Sequence, residues 1–112
     1  VNYGRLITAV DLDYEWLLIT FGDGTKIKIF DDGQSCCESR YFTTDDDPQS
    51  LVNGILRAIE VKPGPDEEDE DGNVHEQDFL EIRTDTGFIT VASHNEHNGY
   101  YGGICLAITE LL

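Results

Sequence analysis

The amino-acid sequence predicts a mainly β fold: a small antiparallel β-sheet domain of two hairpins plus extra strands, with one or two short helices. Apolar and polar residues alternate with period two along most of the chain, the spacing of strands with one buried face. No stretch carries the three-and-four spacing of an amphipathic helix. Clusters of Gly, Asp and Asn separate the alternating runs at strand-length intervals, as turns do in an all-β chain.

The first expected strand covers residues 5–11, the second 15–21 and the third 26–30, where Lys26 and Lys28 face one way and Ile27 and Ile29 the other. Gly22, Asp23 and Gly24 turn the second strand back into the third, because Gly and Asp accept the positive φ of a tight hairpin. Residues 35–39 read as one helical turn or a bend, and Tyr41 and Phe42 enter a short strand. Pro48 suits the first turn of a short helix over 49–53, with Asp47 as its cap and Gly54 as its end. A strand over 55–62 follows. Residues 77–84 and 88–93 form a second hairpin across Asp85, Thr86 and Gly87, and residues 104–109 close the chain as a strand or short helix. Between these lies an acidic segment, residues 63–76, whose start (Pro63 to Gly72) has no apolar anchor; it is expected to be a mobile loop.

With 112 residues and no linker, the whole chain is expected to be one domain. Its five Phe, five Tyr and single Trp support one modest core, so a homodimer in which a partner covers an edge strand or an apolar face is expected. The 23 acidic residues outnumber 7 basic ones, for a formal net charge of −16. Direct nucleic-acid binding is excluded on that ground, because phosphate contacts need clustered Lys and Arg. A negative surface suits solubility, cation attraction, or imitation of a polyanion towards a basic partner. No apolar run approaches a membrane span and no signal peptide is recognisable. Three cysteines, two of them adjacent, make a poor disulfide framework, and a cytoplasmic setting follows.

Residues 94–103, reading His-Asn-Glu-His-Asn-Gly-Tyr-Tyr-Gly-Gly, are expected to form a loop directly after a strand. His94 and His97 could ligate a metal with Cys36, Cys37 or Cys105, but adjacent cysteines suit one zinc ion poorly and no Cys-x-x-Cys pair exists. The same residues also read as structure, with Asn98-Gly99 as a turn and Gly102-Gly103 allowing close packing. In a third reading Tyr100 or Tyr101 stacks on a planar ligand while His94, Asn95 and Asn98 supply hydrogen bonds. Cys36-Cys37-Glu38 could be a thiol site with a histidine as base, yet a reactive thiol needs positive surroundings that this chain lacks. Glu67, Asp69, Asp71, Gly72 and Asp78 match an EF-hand calcium loop only in part, since the bidentate final Glu and the entering helix are missing.

Two motifs, Ser35-Cys36-Cys37-Glu38 with Tyr41, and the run from His94 to Gly103, resemble those of a family of small bacteriophage and prophage proteins with no assigned activity. The resemblance implies a phage or mobile-element origin and the cytoplasm of an infected bacterium; it transfers no catalytic residue and no cofactor. The resulting expectation is a non-enzymatic binding module. Its ligand or interaction surface comprises Cys36, Cys37, Glu38, Arg40, Tyr41, His94, Asn95, His97, Asn98, Tyr100 and Tyr101. The partner is a host protein or a small molecule. Alternative readings are a counter-defence protein, acting as a polyanion mimic or as a nucleotide-signal sponge with Arg40 or Arg57 on phosphate, and a small metal- or cysteine-dependent enzyme.

Overall fold

The structure, a computed structural model, describes residues 3–33, 38–98 and 102–111. It is mainly β, as the alternation predicts. Strands β1 (Ile7–Leu12), β2 (Trp16–Phe21), β3 (Lys26–Asp31) and β9 (Leu106–Leu111) form an antiparallel sheet in the order β1-β2-β3-β9. Strands β4 (Glu38–Thr43), β5 (Leu56–Pro63), β7 (Val74–Thr84) and β8 (Phe88–His97) form a second in the order β4-β8-β7-β5, and β6 (Glu67–Glu68) pairs with β7. The short helix is a 3-10 turn at Pro48–Leu51, capped by the Asp47 side chain, and it is the helical element among the described residues.

Inner faces of both sheets enclose one hydrophobic cluster. Leu17, Ile19, Phe21, Ile27 and Ile29 of the first sheet meet Leu80, Ile82, Ile89, Val91 and Phe42 of the second, with Leu51 between them. Strict alternation fails at two places, and a bulge accounts for each. In β1, Ile7 pairs with Phe21 and Ala9 with Thr20, so Thr8 is an extra residue and both Ile7 and Val10 point inward. In β5, the shift between Leu56 and Ala58 makes Arg57 the extra residue. A bulge of this kind swaps the faces of everything beyond it.

Backbone hydrogen bonds stitch the sheets together at their edges. Ile7 N–H donates to Gly54 O at 2.8 Å, Leu56 N–H to Arg5 O at 3.0 Å, and, at the far side, Phe42 N–H to Tyr14 O at 2.8 Å. Gly54 sits where this seam meets the second sheet: a Cβ there would lie 2.9 Å from Thr84 Cβ.

Two segments depart from the sequence expectation. The strand expected to end at Ser93 continues through His94, Asn95, Glu96 and His97, because β4 and β7 supply hydrogen-bonded neighbours on both sides and override the weak strand preference of these residues. Within residues 63–76, Glu67–Glu68 pair with Val74 and His75, which lengthens β7 at its start, and the Asp69 carboxylate accepts the N–H groups of Asp71 and Asn73. Of the bend expected at 35–39, Glu38 and Ser39 are strand, and the rest lies outside the described residues.

Replacing Gly54 with Ala is expected to lower stability by about 1–3 kcal/mol, the usual cost of overpacking, read as a lower urea midpoint with an unchanged slope.

Candidate functional site

Near the β3/β9 junction the inner face of the second sheet changes from apolar to polar in three successive cross-strand rows. Phe42, Ser93 and Asp78 form the first, Arg40, Asn95 and Glu76 the second, and Glu38, His97 and Val74 the third. Strand alternation alone puts these side chains on one face, in line with the hydrophobic cluster.

Arg40 is the hub. Its side chain is 8 % exposed and lies between Asp31 and Glu38, whose side chains are 5 % and 1 % exposed. Its Nη1 donates to Asp31 Oδ2 at 2.8 Å and to Gly103 O at 2.8 Å, and its Nη2 donates to Glu38 Oε2. Burial pulls the guanidinium pKa down, but the hydrogen bond and charge of Asp31 and the charge of Glu38 outweigh it and hold Arg40 above its ordinary value. A Cβ on Gly33 would come within 2.5 Å of this guanidinium, so glycine is what lets the chain leaving β3 pass over it.

The second fixed point is the peptide of Gly103. Its N–H donates to Glu76 Oε1 at 3.0 Å, while its carbonyl accepts from Arg40 and from Asn95 Nδ2 at 3.1 Å. This orientation requires φ of 91°, which only glycine adopts readily. His97 Nε2 lies 2.5 Å from Glu76 Oε1 and so links the third row to the second. Asp31 also accepts from the N–H groups of Gly33 and Cys105, tying the end of β3 to the approach to β9.

Negative charge exceeds positive here. Asp78 is held above the ordinary carboxylate range by burial first, and then by the charges of Asp66, Glu76 and Asp31. Glu38 Oε1, Ser93 Oγ and Asn95 Oδ1 are buried with no hydrogen-bond partner.

On the outer face of the same strands lies an aromatic stack. Tyr41 stacks on His94 with centroids 4.6 Å apart, and on Tyr14 at 5.2 Å; His75 tilts against His94 at 5.0 Å. Tyr41 OH donates to Glu96 Oε2 at 3.1 Å. His94 sits between Thr43 Oγ1, 2.7 Å from its Nε2, and His75 Nε2, 2.8 Å from its Nδ1. Burial first, and His75 second, hold its pKa below the ordinary 6.5, against the pull of Glu96.

The structure therefore divides the expected site residues. Glu38, Arg40, Asn95 and His97 converge on the inner face, and Tyr41 and His94 belong to the outer stack. His94 and His97, three apart on one strand, point to opposite faces and do not converge on one ion. Among the described residues no group of three His, Cys, Asp or Glu side chains is arranged to hold a metal. Asn98 lines a separate cleft with Glu67, Glu68, His75 and Glu96. Cys36, Cys37, Tyr100 and Tyr101 lie outside the described residues. Three participants escaped the sequence reading: Asp31, His75 and Glu76. Val74, Glu76, Asp78, Leu80 and Ile82 do keep period two, and following it back from Leu80 would have placed Glu76 on the inner face.

Fold and site together define a small two-sheet antiparallel β protein with a buried ionic hub and an acidic surface, and among the described residues no helix is long and apolar enough to cross a membrane. The chain belongs to a family described as a domain of unknown function (DUF7448), which it matches over residues 3–107. No curated protein and no solved structure matches it.

Arg40→Leu leaves Asp31 and Glu38 buried without their cation, so a loss of about 3–5 kcal/mol is expected in urea unfolding. The fold makes the His94 imidazole harder to protonate than in the unfolded chain, where its ordinary pKa is 6.5. Its contribution to stability is therefore complete above that pH and is lost as the pH falls below it towards the lowered folded pKa. Between about pH 7.5 and about pH 5.5, the urea midpoint is expected to fall more steeply in the native protein than in His94→Gln.

Proposed function

We propose that this protein is a non-enzymatic binding module of phage or mobile-element origin that engages a basic protein partner in the bacterial cytoplasm. The distribution of charge carries this reading. Only 7 basic residues face 23 acidic ones, and four of the seven are paired within the chain: Arg5 with Glu110, Arg40 with Asp31 and Glu38, and Lys62 and Arg83 with Glu81. The field presented outward is thus strongly negative, which steers association with a positive surface and repels nucleic acid. The Ser35-Cys36-Cys37-Glu38 and His94-to-Gly103 motifs support the phage setting by resemblance. A nucleotide-signal sponge is less well supported, because the Arg40 guanidinium is already committed to two carboxylates.

The same reading includes a homodimer joined along β9. This edge strand carries one charged residue, Glu110, which Arg5 pairs at 2.9 Å, and exposes Ile108 and Leu111. An edge strand without Lys, Pro or a bulge is open to pairing with a second copy.

Native mass spectrometry of protein purified from its bacterial host tests both parts. The expected spectrum contains a dimer, plus a complex with a host protein of basic surface that dissociates as salt approaches about 1 M, where the screening length is ~3 Å. A monomer would remove the β9 interface. A partner retained at that salt, or one without a basic surface, would overturn the electrostatic reading.

A further inference from the structure

Two imidazoles that lie 19 positions apart in the chain meet on the outer face of the second sheet. His75 pairs with Glu96 and Gln77 with His94 in the β7–β8 ladder, so the two histidines are diagonal neighbours on one face. His75 Nε2 lies 2.8 Å from His94 Nδ1, with the ring centroids 5.0 Å apart. The facing nitrogens thus point towards each other. Such a contact is a hydrogen bond in the free protein and a pair of nitrogen donors towards a metal ion. A tetrahedral zinc ion, about 2.0–2.1 Å from each nitrogen, sets two such donors about 3.3 Å apart. The gap between His75 and His94 has to widen by about half an ångström to match, which small side-chain rotations supply.

The surroundings of His94 are those of a ligand. Its Nε2 lies 2.7 Å from Thr43 Oγ1. With the proton on Nε2 and donated to that oxygen, Nδ1 keeps its lone pair for the ion; outer contacts of this kind fix the tautomer of metal-bound histidines. Tyr41, stacked on the His94 ring at 12°, holds its plane. His75 donates from Nε2 in the free protein and carries its proton on Nδ1 when Nε2 ligates, so both rings remain neutral.

His75 also lines an open cleft of about 550 Å³ with Glu67, Glu68, Asp69 and Glu96. Their negative field raises the local concentration of cations. Among the described residues no third His, Cys, Asp or Glu is arranged to complete the pair, so water fills the remaining positions of the ion. The donors select its class: imidazole nitrogen suits zinc, copper and nickel, whereas magnesium and calcium take oxygen ligands.

We propose that His75 and His94 form a two-nitrogen site for a divalent transition-metal ion, with Thr43 as its positioning residue. The site is independent of the basic-partner reading. It also differs from the His94 and His97 pair, whose side chains diverge.

Titration of the native protein with Zn²⁺ in excess Mg²⁺, followed by calorimetry and by the histidine ring signals in NMR, tests the proposal. Saturable binding is expected to shift the ring signals of His75 and His94 together at one equivalent. His75→Gln is expected to weaken this binding at least tenfold. Thr43→Val, a β-branched replacement at an exposed strand position, is expected to weaken it about tenfold, and Thr43→Ser, which keeps the hydroxyl, to restore it. The double variant Glu67→Gln/Glu68→Gln is expected to stay within about threefold of the native protein, because exposed charges are screened. Zinc taken up with both ring signals unmoved, native affinity in His75→Gln, or an equal loss in the Glu67/Glu68 variant would each overturn the proposal.

Discussion

One buried guanidinium links the architecture of this protein to its candidate site. Arg40 projects from β4 of the second sheet and is held by Asp31 at the end of β3 in the first, by Glu38 on its own strand, and by the Gly103 carbonyl on the approach to β9. Removing three groups from water is unfavourable, and the arrangement persists because each charge finds a partner in geometry set by strands rather than by loops. Gly33 just before the first sequence motif, Glu38 at its end, and Gly102 and Gly103 at the end of the second are brought together around this ion and Glu76.

The two faces of the second sheet at this end do different physical work. Inward, the rows of Arg40, Asn95 and Glu76 continue the hydrophobic cluster as a polar network, and glycine at 33 and 103 lets main chain approach where any side chain would clash or strain. Outward, Tyr41, His94 and His75 form a stacked surface reached from solvent at Tyr14. A single strand, β8, supplies both because its side chains alternate, so the motif from His94 onward turns Asn95 and His97 inward, while on the other face His94 packs into the aromatic stack and Glu96 is exposed.

The excess of acidic residues shapes what such a surface can bind. Carboxylates spread over the exterior add up to a field that extends about a Debye length into solvent. Arg5, Arg40, Lys62 and Arg83 pair with carboxylates of the same chain, which leaves the net excess of acid unchanged and few basic side chains to interrupt it. Such a field repels phosphate-bearing ligands and attracts positive ones.

Much of the fold was legible in the residues. Period-two alternation, the Gly22–Gly24 turn, the Asp85–Gly87 turn and the Asp47-Pro48 start of the 3-10 turn are local signals, each arising from the geometry of a few consecutive residues. The concentration of polar and glycine residues in two short motifs grouped Glu38, Arg40, Asn95 and His97 with Tyr41 and His94, and the structure sets the first four on one face and the last two on the other. Local sequence could not decide that Asp31 and Glu76 complete the site, or that His94 and His97 face opposite ways. Both depend on which strands become neighbours: β4 and β7 flank β8 and extend it through His97, although the composition of that stretch reads as a loop. The sequence by itself determined an acidic, antiparallel β chain. Only the tertiary structure decided that its few buried charges meet at Arg40, because strand order is set by packing across the whole core rather than by any single run of residues.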